Sequence, residues 1–95
     1  MGREFEWNEH KRHTNLKDHG VDFADILPLF GQDAVVFEDD RKDYGERRYI
    51  LMGELNGVFF QVAFTIRGTA VRIISARRGN RRERRIYEQE KRETD

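Results

Sequence analysis

Three histidines and a dense run of arginines are the side chains in this sequence with the widest chemical reach. His10, His13 and His19 are the residue type whose ordinary pKa, roughly 6.5, suits proton transfer near neutrality. His10 and His13 lie three apart and share a helix face. No carboxylate or third His stands at a spacing that would complete a metal site with them, so no metal is expected and the pair is read as solvent-facing. His19 precedes Gly20, where a helix should end and the negative end of its dipole favours a charged imidazole. It is either a helix-end residue or a general acid or base. From Thr65 to Arg92 there are nine Arg and one Lys against three Glu, a net +7, whereas Met1 to Phe64 carries −5. Clustered Arg attracts polyanions and grips phosphate bidentately, which puts nucleic acid first among partners. The competing reading is that these Arg residues are solvated and pair with acids of the first helices.

The elements that must position these groups are legible in outline. Asn8 can cap a helix over roughly residues 9–18, with Gly20 ending it, and only Leu16 gives that helix an apolar anchor beside Phe5 and Trp7. Asp22 caps a short second segment, FADILPLF, which Pro28 limits, and Val21 and Ile26 could form a staple. Four strands follow, AVVFE, RRYILMGEL, VFFQVAFTI and AVRIISA, and their succession predicts an antiparallel meander with Asn56-Gly57 as a hairpin turn. The linker DDRKDYGE reads as long and loose. Asn80 with Glu83 reads as a capping box opening a last helix over roughly residues 81–92, held at most by Ile86 along one narrow edge.

Period-two alternation places Phe60, Val62, Phe64, Ile66, Val71 and Ile73 in the core. It leaves Phe59, Gln61, Ala63, Thr65, Arg72, Ile74, Ala76 and Arg78 on a second, half-open face, with Ser75 and Arg77 where the last strand ends. That face, with Thr65, Arg72 and neighbouring Arg residues, is a plausible cradle for a phosphodiester. The expected class is α+β, in one domain over residues 1–95.

Composition removes many alternatives. With 37% hydrophobic residues, seven Phe, three Tyr and one Trp the chain has enough bulk for a small core despite being 38% charged. It has no Cys, which excludes disulfides, thiol nucleophiles and thiolate zinc sites. No run reaches membrane length, and MGREFEWNEH is too polar for a secretory signal, so a cytoplasmic location without membrane contact is expected. The acidic pairs Asp39-Asp40 and Asp43-Glu46 lack the second cluster that two-metal catalysis needs. There is no phosphate-binding Gly loop, GxSxG motif or dinucleotide fingerprint, and no cofactor is expected.

Two stretches, FEWNEHKRHTNLKDHGVDFADI at 5–26 and RIISARRGNRRERRIYE at 72–88, together resemble the BrnT family of bacterial type II toxins. The likeness runs through Phe5, Glu6, Trp7, Lys11, Asn15, His19, Gly20, Val21 and Phe23. It continues through Asp40, Arg41, Tyr44, Gly45 and Tyr49, and then Thr65, Arg67, Arg72, Ser75, Arg77, Arg82, Glu83, Arg84 and Tyr87. Three positions depart from the family pattern: Asn8 for Asp, Asp18 for Lys before the His, and Gly79 for Ala, the last read as a small change.

The resemblance implies a RelE-like fold with two N-terminal helices, a four-stranded antiparallel sheet and a C-terminal helix. It also implies a metal-independent endoribonuclease that inhibits translation, neutralised by a BrnA-type antitoxin through which alone the complex would reach operator DNA. Cleavage by the ribose 2′-hydroxyl would need an acid, a base and fixed positive charge. His19 or Lys17 are the candidates for proton transfer, and Arg67, Arg72 and Arg77 for charge stabilisation, with Lys11, Thr65, Ser75 and Arg78 contacting RNA. The alternative is a non-enzymatic module that binds nucleic acid or another protein through the same basic surface.

Overall fold

The computed structural model describes residues 4–31 and 33–94. Strand β1 (Glu4–Glu6) leads into helix α1 (Glu9–His19), then a 3-10 segment (Phe23–Gly31). Strands β2 (Val35–Asp39), β3 (Arg48–Leu55), β4 (Val58–Arg67) and β5 (Ala70–Arg78) follow, and helix α2 (Arg81–Thr94) is the last element among the described residues. The sheet order is β1-β5-β4-β3-β2. The α+β class holds, but the sheet is five-stranded and mixed where four antiparallel strands were expected. The addition is β1, which pairs in parallel with β5 from Glu4↔Ala70 to Glu6↔Arg72. Three residues are too few to show a strand period.

Local chemistry explains the first half. The Asn8 side chain accepts from the Lys11 N–H at 3.0 Å, and Gly20, at φ 70°, closes α1 by donating its N–H to the Leu16 carbonyl at 2.9 Å. That left-handed conformation is open to Gly at little cost. Leu16, the expected anchor, is exposed. The anchor is polar instead. Asn15 is buried, and its Nδ2 donates to the Ala76 carbonyl at 2.7 Å and the Val21 carbonyl at 2.8 Å, while its Oδ1 accepts from the Ala76 N–H at 3.1 Å. Beyond Arg72 the outer edge of β5 has no strand partner from β1, and the Asn15 amide takes the place of one peptide of the missing strand. Arg12 then ties α1 to the next segment, its Nε and Nη2 donating to both Asp22 oxygens at 2.8 and 3.0 Å. The Asp22 carboxyl is held down to about 2, chiefly by that Arg12 bond and then by the Ala24 N–H.

One layer of core lies beneath the 3-10 segment, where Phe23, Ile26 and Leu29 pack on Leu51, Val62, Phe64, Val71 and Ile73. Val21 joins it, as the staple reading required. Trp7 meets Phe23 edge-on at 6.1 Å and Phe5 meets Phe30 at 5.2 Å. Ile66, expected in this core, is 54% exposed, because it sits at the β4–β5 hairpin beyond the end of the 3-10 layer.

A second, smaller cluster of Ile50, Met52, Phe59 and Tyr87 lies on the opposite face. Tyr87 docks α2 there, whereas Ile86, the expected contact, is exposed. The second face is therefore roofed at one end and open at the other. The capping box forms as read, with the Glu83 N–H donating to Asn80 Oδ1 and the Asn80 N–H to Glu83 Oε1, both at 2.8 Å. Asn56 and Gly57 both have positive φ, 53° and 81°, as a tight hairpin matching the strand twist requires. The linker after β2 is organised, not loose: Asp39 is buried and accepts from Arg41 at 2.8 and 2.9 Å and from the Tyr44 hydroxyl at 3.0 Å.

The register of β4 on β5 shifts at Ala63/Phe64, passing from Phe64↔Ile73 to Ala63↔Ser75. One extra residue in β5 reverses the alternation beyond it. Ala76 consequently faces the larger core, where it is fully buried, and Arg78, opposite Phe60, turns to that same side at the sheet's end. Both were expected on the second face. Arg77 takes their place there, opposite Gln61.

Gly79 is a further correction. A methyl group there would lie 2.2 Å from the Phe59 ring, so Gly for Ala is a substantial change that lets Phe59 lie close against the backbone. Gly79→Ala is expected to cost about 1–3 kcal/mol as overpacking, and to cost less when Phe59→Leu is present, measured by urea unfolding of the two singles and the double. Asn15→Ala leaves the Ala76 and Val21 backbone groups without partners, and an expected loss of about 3 kcal/mol follows from ordinary costs of buried unsatisfied groups. An unchanged unfolding midpoint would show that water replaces the amide.

Candidate active site and RNA interface

The free part of the second face carries a continuous groove between α1 and the bulged strand. Helical period places His10, Thr14 and Asp18 in one row and Lys11 and Asn15 in the row beside it. These residues, with His19, Ile74 and Ser75, line a cleft of about 330 Å³. A second cleft of about 210 Å³ adjoins it, lined in part by Asn8, Glu46, Arg48, Thr65, Arg67 and Arg72. Lys11 and Ile74 belong to both, so the two form one groove. The bulge contributes directly, because consecutive residues Ile74 and Ser75 both reach the same cleft.

Of the expected residues, His19, Ser75 and Lys11 meet in the first cleft, and Lys11, Thr65, Arg67 and Arg72 in the second. Lys17 is exposed and lines neither. Thr65 is buried, and its hydroxyl donates to the Arg47 carbonyl at 2.6 Å, so it shapes the floor without a free donor. Arg78 is turned away, as described above. His10 was passed over in the sequence because it was paired with His13. The i, i+4, i+8 row of residues 10, 14 and 18 is the signal that would have separated them. His13 is exposed and lines neither cleft. Among the described residues no three His, Cys, Asp or Glu side chains gather in a way that could hold a metal.

The two central arginines differ in how they are held. Among the described residues Arg72 makes one side-chain bond, Nη1 donating to Glu6 Oε2 at 2.5 Å, and both side chains are partly exposed. Arg77 is held more fully: Nη1 and Nη2 donate to Glu83 at 2.9 and 2.6 Å, Nη2 to Gln61 Oε1 at 2.7 Å, and Nη1 to the Arg78 carbonyl at 3.1 Å. Gln61 Nε2 completes the ring by donating to Glu83 at 2.8 Å. The Glu83 bond raises the Arg77 pKa and lowers that of Glu83, and the positive charge of Arg41 works against the rise. Glu83 also caps α2, so this network welds the helix to β4 and β5. Near the other end Arg48 stacks on Tyr44, 4.3 Å from its ring, and makes a long contact of 3.4 Å to Glu46, which also lies 3.8 Å from Arg67.

This is a small α+β protein whose open sheet face brings Lys, Arg and two His into one exposed groove. Comparison with known proteins gives that class a family. The family model for the ribonuclease toxin BrnT of type II toxin-antitoxin systems matches residues 7–83, and the chain belongs to that family. It is similar to the Brucella abortus ribonuclease toxin BrnT, known from a 1.1 Å crystal structure, with 34% identity and a TM-score of 0.70 over 84% of this chain and 100% of that one. No curated protein sequence matches. Among the described residues no helix is long and apolar enough to cross a membrane.

The welded network makes a pH prediction. Glu83 has its pKa lowered on folding, so its contribution is present above its ordinary value near 4.5 and is lost as pH falls through the lower folded value. Glu83→Gln should therefore be about 1 kcal/mol less stable at pH 7, the usual scale of a lost cap or charged hydrogen bond, and should approach the parent in stability as the pH drops below about 4. Parallel acid limbs for the two proteins would show that Glu83 does not carry the effect.

Proposed function

We propose that this ribonuclease toxin cuts RNA without a metal, by attack of a ribose 2′-hydroxyl on the adjacent phosphorus, and that it stops translation by doing so. The observation that carries the reading is the groove itself, where His10, Lys11 and His19 line one cleft and Lys11 continues into the next with Arg72. One imidazole takes the 2′-hydroxyl proton as the new O–P bond forms, and a protonated imidazole delivers a proton to the departing 5′-oxygen, leaving a 2′,3′-cyclic phosphate. Lys11 and Arg72 neutralise the charge that grows on the non-bridging oxygens. Lys17 lies outside the groove and is given no part in proton transfer. Arg67 extends the phosphate track, and Ser75 supplies a hydroxyl at its floor.

Arg77 is assigned a positioning role, because Glu83, Gln61 and the Arg78 carbonyl engage both of its terminal nitrogens. Asp18 puts a carboxylate into the same cleft as His19, where the family pattern has Lys. The partner is a BrnA-type antitoxin that shields the groove, and operator DNA is reached only through that complex. The setting is the cytoplasm, and the fold is a RelE-like one extended by β1.

The test is cleavage of total RNA by the purified, antitoxin-free protein in excess chelator, with mapping of the new ends. Cyclic or 3′-phosphate ends are expected. Arg72→Ala should lower the rate about 10²–10³-fold, the scale set by removing one donor to a developing oxyanion, with folding confirmed by circular dichroism. Near-parental cleavage by Arg72→Ala would remove it from the site, and salt-sensitive RNA binding without product would favour a non-enzymatic module.

A further inference from the structure

Next to the groove, on the same sheet face, is a second hollow that the phosphate chemistry leaves unused. It has a volume of about 200 Å³ and is lined by Phe37, Glu38, Asp39, Asp40, Arg41, Ile50 and Gln61, with Asp39 neutralised by Arg41. Phe37 pairs with Ile50 across β2 and β3, and Ile50 with Ala63 across β3 and β4. Directly paired residues project to the same side, so the Phe37 ring stands on the face that carries the groove. Of the seven Phe residues it alone is exposed, at 43%, on a strand at the edge of the sheet. An exposed aromatic on an unpaired edge is a liability in a small protein unless something uses it.

We infer that this hollow is a subsite for one unpaired nucleobase of the RNA chain, stacked on Phe37. The inference rests on the ribonuclease reading above. Placement supports it first. Arg48 of the phosphate cleft and Ile50 of the hollow are two residues apart on β3, and two residues advance a strand by about 7 Å. That is about one nucleotide of extended chain, so RNA held at Arg72, Arg67 and Arg48 carries its next base to Phe37.

The lining supports it second. Gln61 spends one N–H on Glu83 and one lone pair on Arg77, which leaves an N–H and a lone pair for a base edge. Arg41 is fixed against Asp39 along one edge of its guanidinium and is otherwise exposed, which leaves its planar face open to stacking. Asp40 offers an exposed carboxylate to a base amino group. An aromatic ring, a planar cation and an amide are the groups that recognise splayed bases of single-stranded RNA. A protein segment is disfavoured here because charged groups line much of the hollow. The apolar groove on the other face, between Leu29, Val36 and Ile66, has the character a protein would use.

The test compares the parent with Phe37→Leu, which keeps apolar bulk without a π face, and Phe37→Trp, which restores one. Thermal unfolding confirms that each is folded. Cleavage of a randomised oligoribonucleotide is followed by sequencing of the ends, and an all-deoxy oligonucleotide carrying 2-aminopurine reports stacking by quenching without any cleavage. Loss of one stacked base should raise KM and Kd for Phe37→Leu about tenfold. It should also flatten the base preference at one position beside the cut and abolish quenching, and Phe37→Trp should recover all three. Unchanged KM, preference and quenching in Phe37→Leu would overturn the subsite, as would unchanged RNA handling with weakened antitoxin binding. If the parent fails to cut RNA, the ribonuclease mechanism fails by itself, and quenching lost only in Phe37→Leu still supports the base site.

Discussion

The arrangement depends on one side-chain amide. β1 covers the edge of β5 only as far as Arg72, and the exposed edge beyond it would be open to water or to another chain. Asn15 closes that edge with a donor and an acceptor aimed at a single residue, Ala76, and its remaining N–H reaches back to Val21. A buried polar side chain is costly unless satisfied, and here the amide hydrogens and the oxygen are all engaged. The consequence is geometric. α1 has almost no apolar face of its own, and this contact, aided by the Arg12–Asp22 clamp, fixes its rotation and so points His10, Lys11 and Asp18 along the groove.

The bulge in β5 is the second constraint, and it acts on the same strand. Arg72 and Arg77 are five apart, and in an unbroken strand an odd separation sends side chains to opposite faces. The shift between Ala63 and Phe64 brings them to one face and gives Ala76 to the core, where its backbone meets Asn15. Bulge and amide are thus coupled. Without the extra residue Ala76 would present its methyl to the open face, and the packing beneath α1 would lose a member.

Much of this was legible. The caps at Asn8, Gly20 and Asn80, the Asn56-Gly57 turn and the strands from Val35 onward follow from local rules, because each needs information from only a few neighbouring residues. The errors share a cause. Leu16 and Ile86 were chosen as anchors because they are aliphatic, whereas α1 and α2 dock through Asn15 and Tyr87, whose value depends on partners remote in sequence. Ile66, Ala76 and Arg78 were misplaced by alternation carried through a bulge and past the end of a packing layer, which no single strand reveals. For the site, Lys11, His19, Arg67 and Arg72, named from residue type, all line the groove. Lys17, Arg78 and the omission of His10 turned on helix rotation and strand register, which only the folded chain fixes.

The polarity of the sequence also reads differently once the pairs are known. Many cations of the basic third are engaged inside the molecule: Arg72 with Glu6, Arg77 with Glu83, Arg84 with Glu54, and Lys91 with Asp33. The acidic first part is thus partly a set of counter-ions for the basic last part. What matters for an incoming phosphate is which pair can be exchanged. Glu6 and Arg72 are 39% and 24% exposed and share one bond, and partly exposed pairs of this kind are worth about 0–1 kcal/mol. A phosphate can displace Glu6 at little cost. Displacing Glu83 from Arg77 would break two charged bonds and a helix cap together, a loss several times larger. The difference in exchange cost divides the two arginines, leaving Arg72 open to exchange with an incoming anion and Arg77 fixed to the scaffold.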